Sequence, residues 1–121
     1  MTRIKFISFS SEEFQEHKFM FTKYSLYHLL FGLIWLFVYA FFYKINNKGL
    51  FLSFFLMLLA HTLFEIIENT QFAIKLFRKE RVWSNYRGDS ICNSIGDTVS
   101  ATVGFWVGFL LIYLKSNKLA L

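Results

Sequence analysis

The chain has 121 residues, of which 55% are hydrophobic and 17% charged, with 17 Phe, no Pro and a formal net charge of +5. That composition excludes a soluble multi-domain enzyme, a disulfide-stapled secreted module and a disordered tail, and it describes a membrane protein. At about 20 apolar residues per helical span, the length holds three spans with short connections and no second folded domain, so residues 1–121 are read as a single membrane domain.

In chain order, Ser10 followed three residues later by Glu13 forms a capping-box pattern, and Phe14, His17, Phe21 and Tyr24 recur at helical spacing. This predicts an interfacial helix over about residues 10–24. The first 25 residues mix charges with aromatics and lack the apolar core and cleavage site of a signal peptide, so they are expected to be retained. Residues 26–43 contain no Asp, Glu, Lys or Arg, lie between Lys23 and Lys44, and form a first span interrupted by His28. Asn and Gly in residues 44–49 make a tight connection. A second span covers residues 50–74, its latter half broken by His61, Glu65, Glu68, Asn69 and Gln71. Residues 75–87 form a basic interfacial loop with Val82, Trp83 and Tyr86 as apolar anchors, and a third span covers residues 91–114 with Asp97 its only charge. The fold class is therefore all-α: a polytopic membrane protein with three transmembrane helices and an N-terminal interfacial helix.

Nine of the thirteen basic residues (Arg3, Lys5, Lys18, Lys23, Lys75, Arg78, Lys79, Arg81 and Arg87) fall on the side shared by the N-terminus and the second connection. The positive-inside rule places that side in the cytoplasm. Because these residues border apolar runs, membrane lipid headgroups are the expected counter-charge and nucleic acid is not a partner. The single Cys92 is expected to serve packing.

His61, Glu65, Glu68 and Asn69 share one face of the second helix, and Asp89, Asn93 and Asp97 share one face of the third. A carboxylate at the bilayer centre costs about 2.5–3.5 kcal/mol, while each Leu or Phe returns about 0.3–0.6 kcal/mol, so such groups must face one another, a cation or water. The topology brings both faces, and His28, to one depth near the cytoplasmic leaflet. His28, His61, Glu65, Glu68, Asp89 and Asp97 are the candidate metal ligands, for Mg²⁺ or Mn²⁺ on the oxygen-rich set and for Zn²⁺ through the imidazoles. Glu65, Glu68, Asp89 and Asp97 are equally the candidate acid/base groups, and Asn69, Asn93, Arg87 and Ser90 candidate ligand-binding residues. Gly96, Ser100, Gly104 and Gly108 repeat every four residues along the third helix, a close-packing stripe for a helix of this chain or for a homo-oligomer.

The strings Phe64-Glu-Ile-Ile-Glu-Asn-Thr70 and Tyr86-Arg-Gly-Asp-Ser-Ile-Cys-Asn-Ser-Ile-Gly-Asp97 resemble the paired "WEIVENSPF" and "YYGDSVLNSVSD" motifs of a family of uncharacterised small bacterial inner-membrane proteins. The match runs roughly from Ala60 to Leu110; at His61 that family more often has an acidic residue. More remotely, His28, the Glu65 and Glu68 pair, and Asp89, Asn93 and Gly96 resemble the VanZ-like membrane proteins, with Glu68 standing where those carry Gln. These resemblances imply a bacterial inner-membrane location, and the second implies a cell-envelope role of the kind linked to teicoplanin resistance. Three readings stay open: a cation site that acts on or recognises an envelope lipid or isoprenoid-linked headgroup, an oligomeric proton- or cation-coupled transporter subunit, and an accessory protein with a buried polar lock. Whether the chain is an enzyme is left open.

Overall fold

The computed structural model describes residue 7, residues 19–79 and residues 88–119, with side chains described as far as residue 116. Four helices follow one another: α1 (Ser25–Phe42), α2 (Asn47–Glu68), α3 (Gln71–Lys79) and α4 (Ile91–Leu119). Three segments are long and apolar enough to cross a membrane: Ser25–Phe42, Asn47–Glu68 and Ile91–Ser116. No strand occurs among the described residues, which add only an isolated bridge between Ile7 and Phe21.

Local chemistry sets the helix ends. At the start of α1, the Thr22 amide donates to Ser25 Oγ at 3.0 Å while the Ser25 amide donates to the Thr22 carbonyl at 3.0 Å. The Asn46 side chain caps α2 by accepting from the Gly49 amide at 2.8 Å, and Ser90 Oγ caps α4 by accepting from the Asn93 amide at 3.1 Å. Within α4, the hydroxyls of Thr98, Ser100 and Thr102 donate back to the carbonyls four residues earlier, a way to satisfy a hydroxyl that faces no water.

The closest packing is between α1 and α4. A Cβ at Gly32 would run into the backbone of Ala101, and one at Gly104 into the Leu29 carbonyl. The backbones therefore approach without intervening side chains. Farther along, Gly108 abuts Leu33, and Gly96 lies against the Met20 carbonyl. The whole Gly96, Ser100, Gly104 and Gly108 stripe is buried and covered by the chain's own α1 and the segment before it. Of the two partners expected for the stripe, a helix of this chain is the one that packs on it.

Helix α2 closes the bundle over a core of Leu36, Leu50, Met57, Ala101 and Phe105, flanked by Phe54 and Trp106. Trp35 Nε1 ties α1 to α2 by donating to the Ser53 carbonyl at 3.1 Å and lies 3.2 Å from Ser53 Oγ. Large apolar side chains such as Phe37, Phe41, Phe55, Leu59 and Val103 point outward on the spanning helices. In water that surface would be a liability; in a bilayer it is the solvent-matched exterior.

Two expectations are corrected. Residues 19–24 of the expected interfacial helix are not helical, because Thr22 spends its polar groups on turns to Tyr24 and Ser25; residues 10–18 lie outside the described residues. The second span ends at Glu68, not near Ile74. Asn69 Nδ2 donates to the Glu65 carbonyl at 2.9 Å, Thr70 Oγ1 donates to the Ile67 carbonyl at 2.6 Å, and Thr70 Oγ1 accepts from the Ala73 amide at 3.3 Å. Those side-chain bonds compete with helix continuation and restart the chain as α3. The first residues of the expected basic loop thereby become helical. Helix α3 buries Ala73 and Ile74, exposes Phe72 and Leu76 beside Lys75, and carries Arg78 and Lys79 in its last turn; Val82, Trp83 and Tyr86 lie outside the described residues.

Candidate metal centre

The three spanning helices each contribute to one buried cluster. His28 comes from the first turn of α1, where Ser25 precedes it by three residues and shares its face. His61 and Glu65 stand one turn apart near the end of α2, and Asp97 and Thr98 lie in the second turn of α4. His61 is 1% exposed, Asp97 3% and Glu65 7%.

His28 Nδ1 lies 2.8 Å from His61 Nε2, and each of these nitrogens is 3.7 Å from Glu65 Oε1. On the far side of the first ring, His28 Nε2 is 3.3 Å from Asp97 Oδ2. Ser25 Oγ, which accepts from the Thr22 amide, donates to Asp97 Oδ1 at 3.2 Å and fixes that carboxylate. Asp97 is therefore held beside His28 Nε2, ready to accept its proton when that nitrogen carries one. His61 Nδ1 is 3.4 Å from Thr98 Oγ1, whose own proton goes to the Ser94 carbonyl at 2.9 Å. With that bond made, Thr98 can accept from His61 Nδ1 in the tautomer that carries its proton there. The two facing nitrogens either share one proton as a hydrogen bond, in whichever tautomer the pair adopts, or present lone pairs to a cation placed between them.

Neither buried Glu65 oxygen makes a hydrogen bond of full geometry, although the Ser94 side chain stands close enough to act on the carboxyl. The three separations of 2.8, 3.7 and 3.7 Å bracket the spacing of about 3.3–3.4 Å between ligand atoms around a tetrahedral ion with bonds of 2.0–2.1 Å. The Asp97–His28 and Thr98–His61 pairs match the outer-shell support that orients ligating imidazoles. Phe31 and Phe64 line the rings, with centroids 5.7 Å from His61 and 6.4 Å from His28 respectively.

A second trio, the carboxylates of Glu65, Asp89 and Asp97, has oxygens that all lie within 4.8 Å of one another. Glu65 thus belongs to both groups. Gly88, at φ 89, turns the chain into Asp89, whose amide donates to Asn69 Oδ1 at 2.6 Å. Glu68 is half-buried, and its Oε2 is enclosed without a hydrogen-bond partner.

A lateral cavity of about 1080 Å³ opens beside this cluster, with a polar floor that includes His28, Glu68, Asp89 and Asp97 and apolar walls from Leu30 and Phe64. Lys23 also lines it. A second cavity of about 490 Å³ reaches Glu65 and Asp89 from another side, past Thr62 and Ser94.

The structure therefore brings together His28, His61, Glu65, Asp89 and Asp97, with Glu68 on the same cavity. It gives other work to three residues expected to bind ligand. Asn69 bridges the end of α2 to Asp89, Asn93 Nδ2 donates to the Phe19 carbonyl at 2.8 Å, and Ser90 caps α4. Arg87 lies outside the described residues. Ser25 and Thr98 were not singled out from the sequence. Ser25 was detectable as the residue three before His28 on its own face, whereas Thr98 lies beside the Asp89, Asn93 and Asp97 stripe and gave no periodic signal.

Fold and cluster together define a class: a small membrane protein of three spanning helices that carries histidines and carboxylates inside the bundle. Within that class, the chain belongs to the family described as protein of unknown function (DUF2585), whose model matches residues 3–121. A UPF0314 protein from Brucella anthropi is 44% identical over 43 residues, a stretch covering 36% of this chain and 22% of that relative. No solved structure matches.

Proposed function

We propose that this protein holds a divalent transition-metal cation within the membrane and presents it to the headgroup of an envelope lipid or isoprenoid-linked compound. The observation that carries the reading is the 2.8 Å approach of His28 Nδ1 and His61 Nε2, each 3.7 Å from Oε1 of the buried Glu65. Two imidazoles and a carboxylate favour Zn²⁺, with Mn²⁺ next, over Mg²⁺. Three protein ligands leave a fourth position for a water or a headgroup oxygen, the pattern of a reactive rather than a purely structural site. The lateral cavity suits an amphiphile, with polar groups at its floor and apolar walls continuous with lipid-facing helix surfaces. The distribution of basic residues supports a cytoplasmic N-terminus, and with it a site at the cytoplasmic leaflet of a bacterial inner membrane.

The same contact favours a second reading, in which the imidazoles share a proton and the carboxylates relay it in an oligomeric transporter subunit. Elemental analysis of detergent-purified protein after dialysis separates the two. Near-stoichiometric zinc or manganese in the wild type, lost in a folded His61→Ala variant, supports the cation centre. A metal-free wild type that cannot be reloaded on adding Zn²⁺ or Mn²⁺ overturns it in favour of the proton.

A further inference from the structure

We propose that the outer face of α3 is a docking surface for anionic phospholipid, with Phe72 and Leu76 seated among acyl chains and Lys75 and Lys79 holding the headgroup phosphate. The surface needs no cation at the His28 and His61 contact and stands apart from that reading.

Helix α3 is fixed where it lies. The spanning helix α2 ends at Glu68 and α3 begins at Gln71, so it starts where the apolar layer stops. Thr70 accepts from the Ala73 amide at 3.3 Å through Oγ1 and from the Ile74 amide at 3.0 Å through its carbonyl, which directs the first turn. Ala73 and Ile74 are buried and Phe77 is half-buried. Ile74 packs over Gly88, where a Cβ would stand 3.2 Å from Ile74 Cδ1. Gly88 leads into Asp89, whose amide donates to Asn69 Oδ1 at 2.6 Å. One side of α3 is thereby held against the turn that enters α4, and the opposite side faces outward.

Around that outer side, Lys75, Lys79, Phe72 and Leu76 follow one another within an arc of about 100°. All four are exposed, Phe72 at 73% and Leu76 at 46%. The helix carries Lys75, Arg78 and Lys79 and no acidic residue. An apolar pair flanked by cations, at the level where a spanning helix has just ended, is the composition of a helix that lies in the membrane interface. Lysine stems cover apolar surface there while their ammonium groups reach the phosphates. The outward side chains of the spans, such as Phe41 and Phe55, need only acyl chains; the two lysines add the requirement for negative charge. Each basic residue near an anionic surface strengthens binding about fivefold.

The test titrates the full chain in neutral detergent with phosphatidylglycerol and, separately, with phosphatidylcholine, and counts bound lipid by native mass spectrometry. Tighter binding of phosphatidylglycerol is expected in the wild type, and Lys75→Gln/Lys79→Gln should lower that affinity about 25-fold and leave phosphatidylcholine unaffected. Phe72→Ser/Leu76→Ser should weaken both lipids alike. These four side chains are exposed, so the variants are expected to fold, which circular dichroism checks. Equal affinity of the wild type for the two lipids overturns the proposal and leaves an acidic protein surface as the occupant. A preference that survives in Lys75→Gln/Lys79→Gln also overturns it, by placing the lipid at other basic residues. The same results are expected before and after chelation, so failure here and failure of the cation centre are read separately.

Discussion

Around Leu36, Met57, Ala101 and Phe105 the three spanning helices meet through close-packed apolar side chains and a single indole link from Trp35 to Ser53. One to two turns away along the same helices, the contacts are His28, His61, Glu65 and Asp97, with buried Glu65 oxygens that make no hydrogen bond of full geometry. The first region is complete as protein; the second needs a cation or protons to be complete. A bilayer sharpens this contrast, because lipid offers unpaired polar groups nothing. Stability is therefore expected to divide between the two regions, with packing carrying one and ion binding the other.

The most damaging change should fall on the contact that supports both. Gly104→Leu would drive a side chain into the Leu29 carbonyl, where backbone rather than a flexible side chain blocks it. Overpacking of this kind costs about 3 kcal/mol or more, so loss of the folded α1–α4 pair is expected in thermal unfolding in detergent, together with loss of bound metal. A variant that retained wild-type stability would show that the two helices do not approach as closely as described.

Removing the ion should come next. At a free concentration 100-fold above its dissociation constant, a ligand specific to the folded state stabilises by about 2.7 kcal/mol. Chelation should therefore lower the unfolding temperature of the wild type and leave that of His61→Ala unchanged. Imidazoles must be deprotonated to ligate, so retained metal should fall as pH falls. Equal sensitivity of both proteins to the chelator would break the division between packed and ion-held regions.

A smaller effect is expected at Asp97→Asn. The amide can still contact His28 and Ser25, yet it no longer supplies a charged acceptor to hold the His28 proton on Nε2. Outer-shell changes of this type cost about 10–100-fold in metal affinity. Competition with a calibrated chelator measures it. An affinity equal to wild type would remove Asp97 from the support of the ion.

Much of this contrast was legible in the sequence, and the parts that were not share a cause. The three charge-poor runs located the spans, and the spacing of His61 with Glu65 and of Asp89 with Asp97 located the inward faces. Periodicity reports which residues share a face of one helix; it says nothing of which atoms meet across helices. Asn69 and Asn93 fell on the right faces yet serve the backbone at Asp89 and Phe19. Thr98, which stands beside His61 Nδ1, lies on a neighbouring stripe. The end of α2 was misplaced because the apolar Phe72, Ala73 and Ile74 continue the hydropathy, while the break comes from side-chain bonds at Asn69 and Thr70.

The smallest expected effect tests whether the two regions are independent. Trp35→Phe removes the indole donor to Ser53 in the packed region and leaves every residue of the cluster in place. Loss of one such bond costs about 1 kcal/mol, readable as a modest drop in unfolding temperature. Metal content should not change, because Trp35 lies nearly two turns beyond His28 on α1, about 10 Å along the axis. A drop in bound metal would mean that the α1–α2 spacing set by Trp35 also sets the approach of His28 to His61, and that a loss of packing at one end is transmitted to the ligands at the other.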